Sequence, residues 1–180
     1  MIDQCQCCGS EIRKYRGTFV SGPNYAISQD KKTATKCNNT KWDCNAILSD
    51  SISPGTITII KFRIEKTDSN SHIMIGIAPK VNNQNMENFF FSYGYFMNCY
   101  NGCIYNHHPF QYDSEKFLTE KRFPEGTIIT MIVDTNAGKL SYRINEGFIK
   151  TAFHSITFVD QVYPYVLFMT KGDAIKIIHE

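Results

Sequence analysis

Seven cysteines and five histidines are the residues of this 180-residue chain with the most chemistry to offer. Cys5-x-x-Cys8-Gly9 has the spacing of one zinc knuckle, in which two thiolates and a glycine turn grip a tetrahedral ion. Such a site needs four ligands, and no second CxxC exists. Cys37 and Cys44, from a separate stretch of the chain, could complete it. The competing account is simpler: free thiols near the N-terminus and small apolar residues in the core. The expectation is therefore no metal and no cofactor, with Cys5, Cys8, Cys37 and Cys44 as the residues that would overturn it. Cys99, Cys103, His107 and His108 form a second group. A two-residue turn at Asn101-Gly102 would set Cys99 opposite Ile104 and Tyr100 opposite Cys103, leaving the thiols diagonal and poorly placed for a disulfide or shared ion.

Catalytic patterns are missing. There is no GxSxG elbow, HExxH, P-loop or strand-borne GxGxxG. Asp134 sits before a turn, where a carboxylate serves the backbone. Glu115, Glu120 and Glu125 share a charged stretch with Lys116, Lys121 and Arg122. No catalytic residue is assigned, and the expectation is not an enzyme.

These residues must be carried by strands, because the hydrophobic period is two almost throughout. In Thr56–Lys66, Ile60, Phe62 and Ile64 point one way, and Lys61, Arg63 and Glu65 the other. Similar runs occupy 72–78, 127–134, 139–145, 148–153, 162–170 and 174–180. Turn residues separate them: Pro54-Gly55, Asn136-Ala137-Gly138, Glu146-Gly147 and Lys171-Gly172-Asp173. A short helical turn near Ser114–Thr119 is the one exception. Closely spaced strands of this kind form a β-sandwich. Trp42, Phe62, Ile64, Ile75, Ile77, Ile132, Tyr142, Ile144, Phe153, Tyr165 and Leu167 are expected to fill it. In FFFSYGYF (89–96) alternate aromatics should pack between the sheets.

Composition bounds the partners. The chain carries 19 basic and 17 acidic residues and a formal charge of +2. Lys31, Lys32, Lys36 and Lys41 gather in one stretch, but Asp30 and Asp43 flank it, so nucleic acid is not an expected partner. No run approaches the roughly 20 apolar residues of a membrane helix, and MIDQCQCCGS lacks a signal-peptide core. Seven cysteines without a secretory signal point to reduced thiols and a cytoplasmic location.

The order of the motifs resembles the SPRY/B30.2 family. EGTIITMIVDTNAGKLSYRINEGFIKTAF (125–153) followed by VYPYVLF (162–168) is similar to the second half of a SPRY domain. ISPGTITIIKFRIEK and IMIGIAPK resemble its central strand pair, SYGYFMNCYNGCIYN its Gly-Tyr hairpin, and YAISQDKKTATKCNNTKWDCNAILSD its opening strands, with Trp42 buried. The likeness covers about residues 19–179, leaving 1–18 as a Cys-containing N-terminal segment. One departure is Asn145-Glu146-Gly147 where the family has Asn-Gly. The resemblance implies a bent antiparallel sandwich of two sheets, concanavalin-like in its jelly-roll path. It also implies a non-catalytic module that binds a short peptide or protein surface through loops at one end, monomeric on its own. On this sequence the matching stretches are Asn82, Asn83, Gln84 and Asn85 after the Ile73–Ala78 strand, and Met169, Thr170, Lys171 and Gly172 after the Val162–Thr170 strand, with Tyr25 and Lys41 on the rim. The alternative is a lectin-like sandwich with a sugar site at Asn98, Tyr100 and Asn101.

Overall fold

The computed structural model describes residues 3–4, 9–39, 44–68, 72–79, 94–106, 122–157 and 161–179. Among them there is no helix. Fourteen strands form two sheets: β1 (Asp3–Gln4), β2 (Glu11–Lys14), β3 (Tyr25–Ile27), β4 (Thr33–Lys36), β5 (Cys44–Ile47), β6 (Thr56–Lys66), β7 (Ile73–Pro79), β8 (Tyr95–Asn98), β9 (Ile104–Tyr105), β10 (Ile128–Asp134), β11 (Lys139–Ile144), β12 (Lys150–Phe153), β13 (Val162–Phe168) and β14 (Ala174–Ile178). The larger sheet runs β12-β11-β10-β6-β14-β4-β3, with β2 on β6 and β1 on β2; the smaller runs β5-β13-β7-β8-β9.

The long strand β6 organises the larger sheet, and its alternation is the one expected. Ile60, Phe62 and Ile64 are buried in the core, while Lys61, Arg63 and Glu65 are partly exposed. Pro54-Gly55 starts the strand cleanly, with Gly55 at φ 75°. Asp134 behaves as a turn residue: its Oδ1 accepts from the Asn136 and Ala137 amides. Asn145 fits the extra residue of the Asn145-Glu146-Gly147 turn by taking a φ of 50°, its side chain accepting from the Ile128 amide.

The main core lies between the sheets. Ile129, Met131, Val133, Leu140 and Tyr142 from the larger sheet meet Ile73, Ile75, Ile77, Val166 and Phe168 from the smaller. Tyr142 crosses the layers, its hydroxyl donating to the Ile75 carbonyl at 2.9 Å. A second cluster of Met74, Ala78, Phe96, Tyr165 and Leu167 is buried on the opposite face of the smaller sheet.

That second cluster corrects part of the expected core. Tyr165 and Leu167 are buried, but away from the inter-sheet space, which Val166 and Phe168 fill instead. A strand apolar on both faces gives no sign of which face meets the partner sheet. Ile132 is also displaced: on β10 it faces outward, half-exposed, while its neighbours Met131 and Val133 point in. Ile144 packs at the core margin, and Trp42 lies outside the described residues. Within 89–96, Phe96 joins the second cluster, Tyr95 packs on the main core, and 89–93 fall outside the description. The proposed helical turn at 114–119 also lies outside it.

Two further differences are topological. β2 pairs with β6 in parallel, Glu11 opposite Thr56 and Lys14 opposite Ile59, and Tyr15 is buried. Part of the 1–18 segment is therefore built into the sandwich, and one ladder is not antiparallel. The hairpin loop is also longer and starts earlier than a two-residue turn would: Met97 pairs with Ile104, the Asn98 amide donates to the Cys103 carbonyl, and only Gly102 has positive φ. Asn101 avoids φ > 0, so a type I′ turn cannot form. Cys99 and Cys103 are buried free thiols.

Burial pushes the Cys99 thiol well above its ordinary value of 9.0, and the Tyr142 hydroxyl above 10.0. Burial likewise raises Tyr15, only partly offset by the Asp50 amide, which donates to its hydroxyl oxygen at 3.0 Å. These groups ionise first in the unfolded chain, so the stability they contribute is complete below about pH 9 and is lost as pH climbs further. The melting temperature should fall steadily above that pH. The slope near pH 9–10 should flatten in Cys99→Ala; parallel curves for the two proteins would refute this origin.

Candidate functional site

The turn after β13 is held rigidly from below. The Met169 amide donates to the His72 carbonyl at 3.1 Å, tying it to the start of β7. Gly172 adopts φ 90°, a conformation cheap only for glycine, and its amide donates to the Lys36 carbonyl at 3.0 Å. The Asp173 carbonyl accepts in return from the Lys36 amide at 2.9 Å, and its carboxylate accepts from the Thr170 amide. Lys36 and Asp173 are both buried under this turn, so opposite charges are withdrawn from water together. Met169 and Thr170 are left half-exposed and Lys171 exposed, and with Asn39 they line a cavity of about 310 Å³.

A second group flanks this turn through the His72 carbonyl. The Tyr100 ring packs on His72 with centroids 4.2 Å apart, and Tyr100 is one of the large apolar residues left exposed among the described residues. Asn98 organises the pair: its Oδ1 accepts from the Tyr100 amide at 2.9 Å, which turns its Nδ2 toward His72 Nδ1 at 3.0 Å. Burial holds His72 below its ordinary value of 6.5, which favours the neutral ring at pH 7. The surface thus combines an adaptable thioether, an aromatic face, a hydroxyl and one cation.

Sequence reasoning named Met169, Thr170, Lys171 and Gly172, placed Tyr100 only in the alternative sugar site, and missed Asn39 and His72. The signal for the latter was present but indirect: His72 opens the strand that must pair with β13. Tyr25, expected on the rim, is buried, with its hydroxyl engaged by the Val20 carbonyl. Lys41 and Asn82, Asn83, Gln84 and Asn85 lie outside the described residues. The register does separate their points of attachment. Phe168 pairs with Ile73 and Val162 with Pro79, so β7 leaves the sheet some 20 Å from the Met169 turn. The two stretches do not start from one end of the sandwich, as the sequence comparison with SPRY domains implied.

Among the other candidates, Cys5 and Cys8 lie outside the description, as does the Cys44 side chain. Cys37 is exposed, its thiol directed at the Thr35 carbonyl. No group of three potential metal ligands occurs among the described residues. The alternative sugar site loses its polar groups to its own loop: Asn98 is occupied as above, and Asn101 Oδ1 accepts from the Cys103 amide at 3.0 Å.

With two packed sheets and the braced loop end in view, likeness to known proteins decides the family. Residues 60–179 match the SPRY domain family. The chain belongs to it. The SPRY domain of human HERC1 superimposes with a TM-score of 0.68 at 23% identity, covering 86% of this chain and 92% of that one. The TRIM65 PSpry domain gives 0.66 at 12% identity, with 93% and 94% covered. The Drosophila melanogaster neuralized NHR1 domain gives 0.61 at 15%, with 91% and 98% covered. Nothing matches among curated proteins. SPRY domains are generally non-catalytic interaction modules. In this SPRY domain the family match begins within β6, whereas the structural likeness takes in the earlier strands as well.

Proposed function

We propose that this SPRY domain is a non-catalytic recognition module that takes a short peptide or protein surface at the Met169–Lys171 turn. The observation that carries the proposal is the bracing of that turn on two separate strands, through His72 and Lys36, beside the exposed Tyr100. A loop already ordered loses less entropy when a partner docks. Loops fixed on a rigid scaffold are also where binding residues concentrate. Met169 adapts to an apolar side chain, Thr170 and Asn39 offer hydrogen bonds, and Lys171 supplies charge at the rim. The buried free thiols Cys99 and Cys103 suit a reducing, cytoplasmic setting, where the domain would work as a monomer.

The double change Met169→Ala with Lys171→Ala tests the site. Capture of partners from the source cell, compared by mass spectrometry, should fall by roughly tenfold or more, about 1.4 kcal/mol per tenfold. The melting temperature should move by no more than a few degrees, since neither side chain is in the core. Unchanged capture by a folded double variant would place the partner elsewhere.

A further inference from the structure

The outer face of the larger sheet carries a groove that neither the family nor the proposed loop site explains. On β6 the outward residues Ile57 and Ile59 are apolar, before the charged series of Lys61, Arg63 and Glu65 begins. Strand register lays the groove out as two lateral rows. Thr130 of β10 lies opposite Lys61 of β6 on one side and Arg143 of β11 on the other, and Ile178 of β14 lies opposite Lys61. In the next row Ile132 lies opposite Ile59, and Ile59 opposite Lys14 of β2. Tyr15 and Ile149 complete a concavity of about 250 Å³.

Its chemistry is one-sided. Among the described residues Lys14, Lys61 and Arg143 line it, and no described carboxylate does. Lys61 and Arg143 stand on strands two ladder spacings apart, about 9.5 Å, with Thr130 between them. Arg63, one row further along, is already neutralised by Glu65 at 2.7 Å. Thr130 is 2% exposed, yet its hydroxyl has no hydrogen-bond partner among the described residues, and neither does the buried Arg143 Nε. Buried donors of this kind are costly unless something accepts from them. Ile59, Ile132, Ile149 and Ile178 form apolar walls, and the adjoining Phe148 is 93% exposed.

We propose that this groove binds an acidic peptide segment, seating a carboxylate over Thr130 between Lys61 and Arg143 with its aliphatic neighbours against the isoleucines. Charge complementarity selects the anion: Arg143 Nε and the Thr130 hydroxyl donate to it, and both cations strengthen those bonds. The walls select a carboxylate borne on an apolar body over a free ion, and the small concavity accepts side chains, not a flat surface. The site is separate from the Met169 turn, so a peptide here is a second contact and not a restatement of the first.

The probe is a pool of acetylated pentapeptides with Asp or Glu at the centre and Leu, Ile or Val on either side. A matched pool carries Asn or Gln at the centre. Titrated into the isotopically labelled domain, the acidic pool should shift the amide signals of residues 61, 130 and 143, and the amide pool should bind roughly tenfold more weakly. Added salt should weaken the acidic pool. Thr130→Val keeps the shape and removes the orphaned hydroxyl. It should bind the acidic pool several-fold more weakly while melting no lower than the parent, and Arg143→Met should weaken binding further. The Met169→Ala, Lys171→Ala double variant should bind the pool as the parent does, so failure here and failure of the loop site are distinguishable. Equal binding of the two pools, no binding of the acidic pool, or full binding by Thr130→Val overturns the proposal. So does perturbation of the same residues by inorganic phosphate or phosphatidylserine vesicles when the peptides cause none.

Discussion

Gly76→Ala is expected to leave no stably folded protein. Gly76 sits in the middle of β7, between Phe96 of β8 and Tyr165 of β13. A Cβ built there would lie 1.9 Å from the Tyr95 carbonyl oxygen and 2.8 Å from the Phe96 Cα. Both are backbone atoms of a paired strand, so no rotamer change relieves the clash. The choice lies between parting β7 from β8 and losing the ladder. Either outcome exceeds the usual range for a point change, about 4 kcal/mol or more. Amide spectra should collapse to those of an unfolded chain, while Val20→Ala, at an exposed position, stays within about 0.5 kcal/mol of the parent. A Gly76→Ala protein with a native spectrum and a melting temperature within a few degrees would contradict the strand spacing described.

The second large effect belongs to Tyr142. Its ring is wholly buried between the sheets and its hydroxyl donates across the layers to Ile75. Tyr142→Ala removes a large side chain that the surroundings cannot collapse to replace, at a cost of about 3–5 kcal/mol. Tyr142→Phe keeps the ring and deletes one neutral hydrogen bond, worth about 1 kcal/mol. Urea denaturation of the pair should therefore separate packing from hydrogen bonding by a factor of several. If Tyr142→Phe cost as much as Tyr142→Ala, the hydroxyl and not the ring would hold the layers together.

The fold was legible where a strand has one polar face. β6 announced its register through Lys61, Arg63 and Glu65, and those residues do face outward. Strands apolar on both sides hid theirs. In β13 nothing local distinguishes Tyr165 and Leu167 from Val166 and Phe168, because packing against a second cluster buries both sets. Ile132 was misplaced for the same reason. Local turn preference also misled at Asn101-Gly102, where the first strand ends earlier and residues 99–102 form the loop. Half of the loop site was visible, since Gly172 and Met169 fall after a recognisable strand. The rest depended on pairing distant in sequence: His72 reaches Met169 only through the β7–β13 ladder, and Thr130 meets Lys61 and Arg143 only across three strands.

The seating of β14 has a consequence in time. It lies between β6 and β4, and both of its edges are used: Ile175 pairs with Ile64 on one side and Ala34 on the other. Until Ile178 has left the ribosome, β4 lacks the strand that joins it to β6, and β6 keeps the Lys61–Lys66 part of one edge unpaired, β2 having taken its Thr56–Ile59 part. A chain emerging at about 5–20 residues per second therefore spends several seconds with half of one edge of its central strand open. Exposed strand edges of this kind invite pairing with other chains. The domain's risk of misassembly is concentrated during synthesis, and it ends when a five-residue strand slides into place.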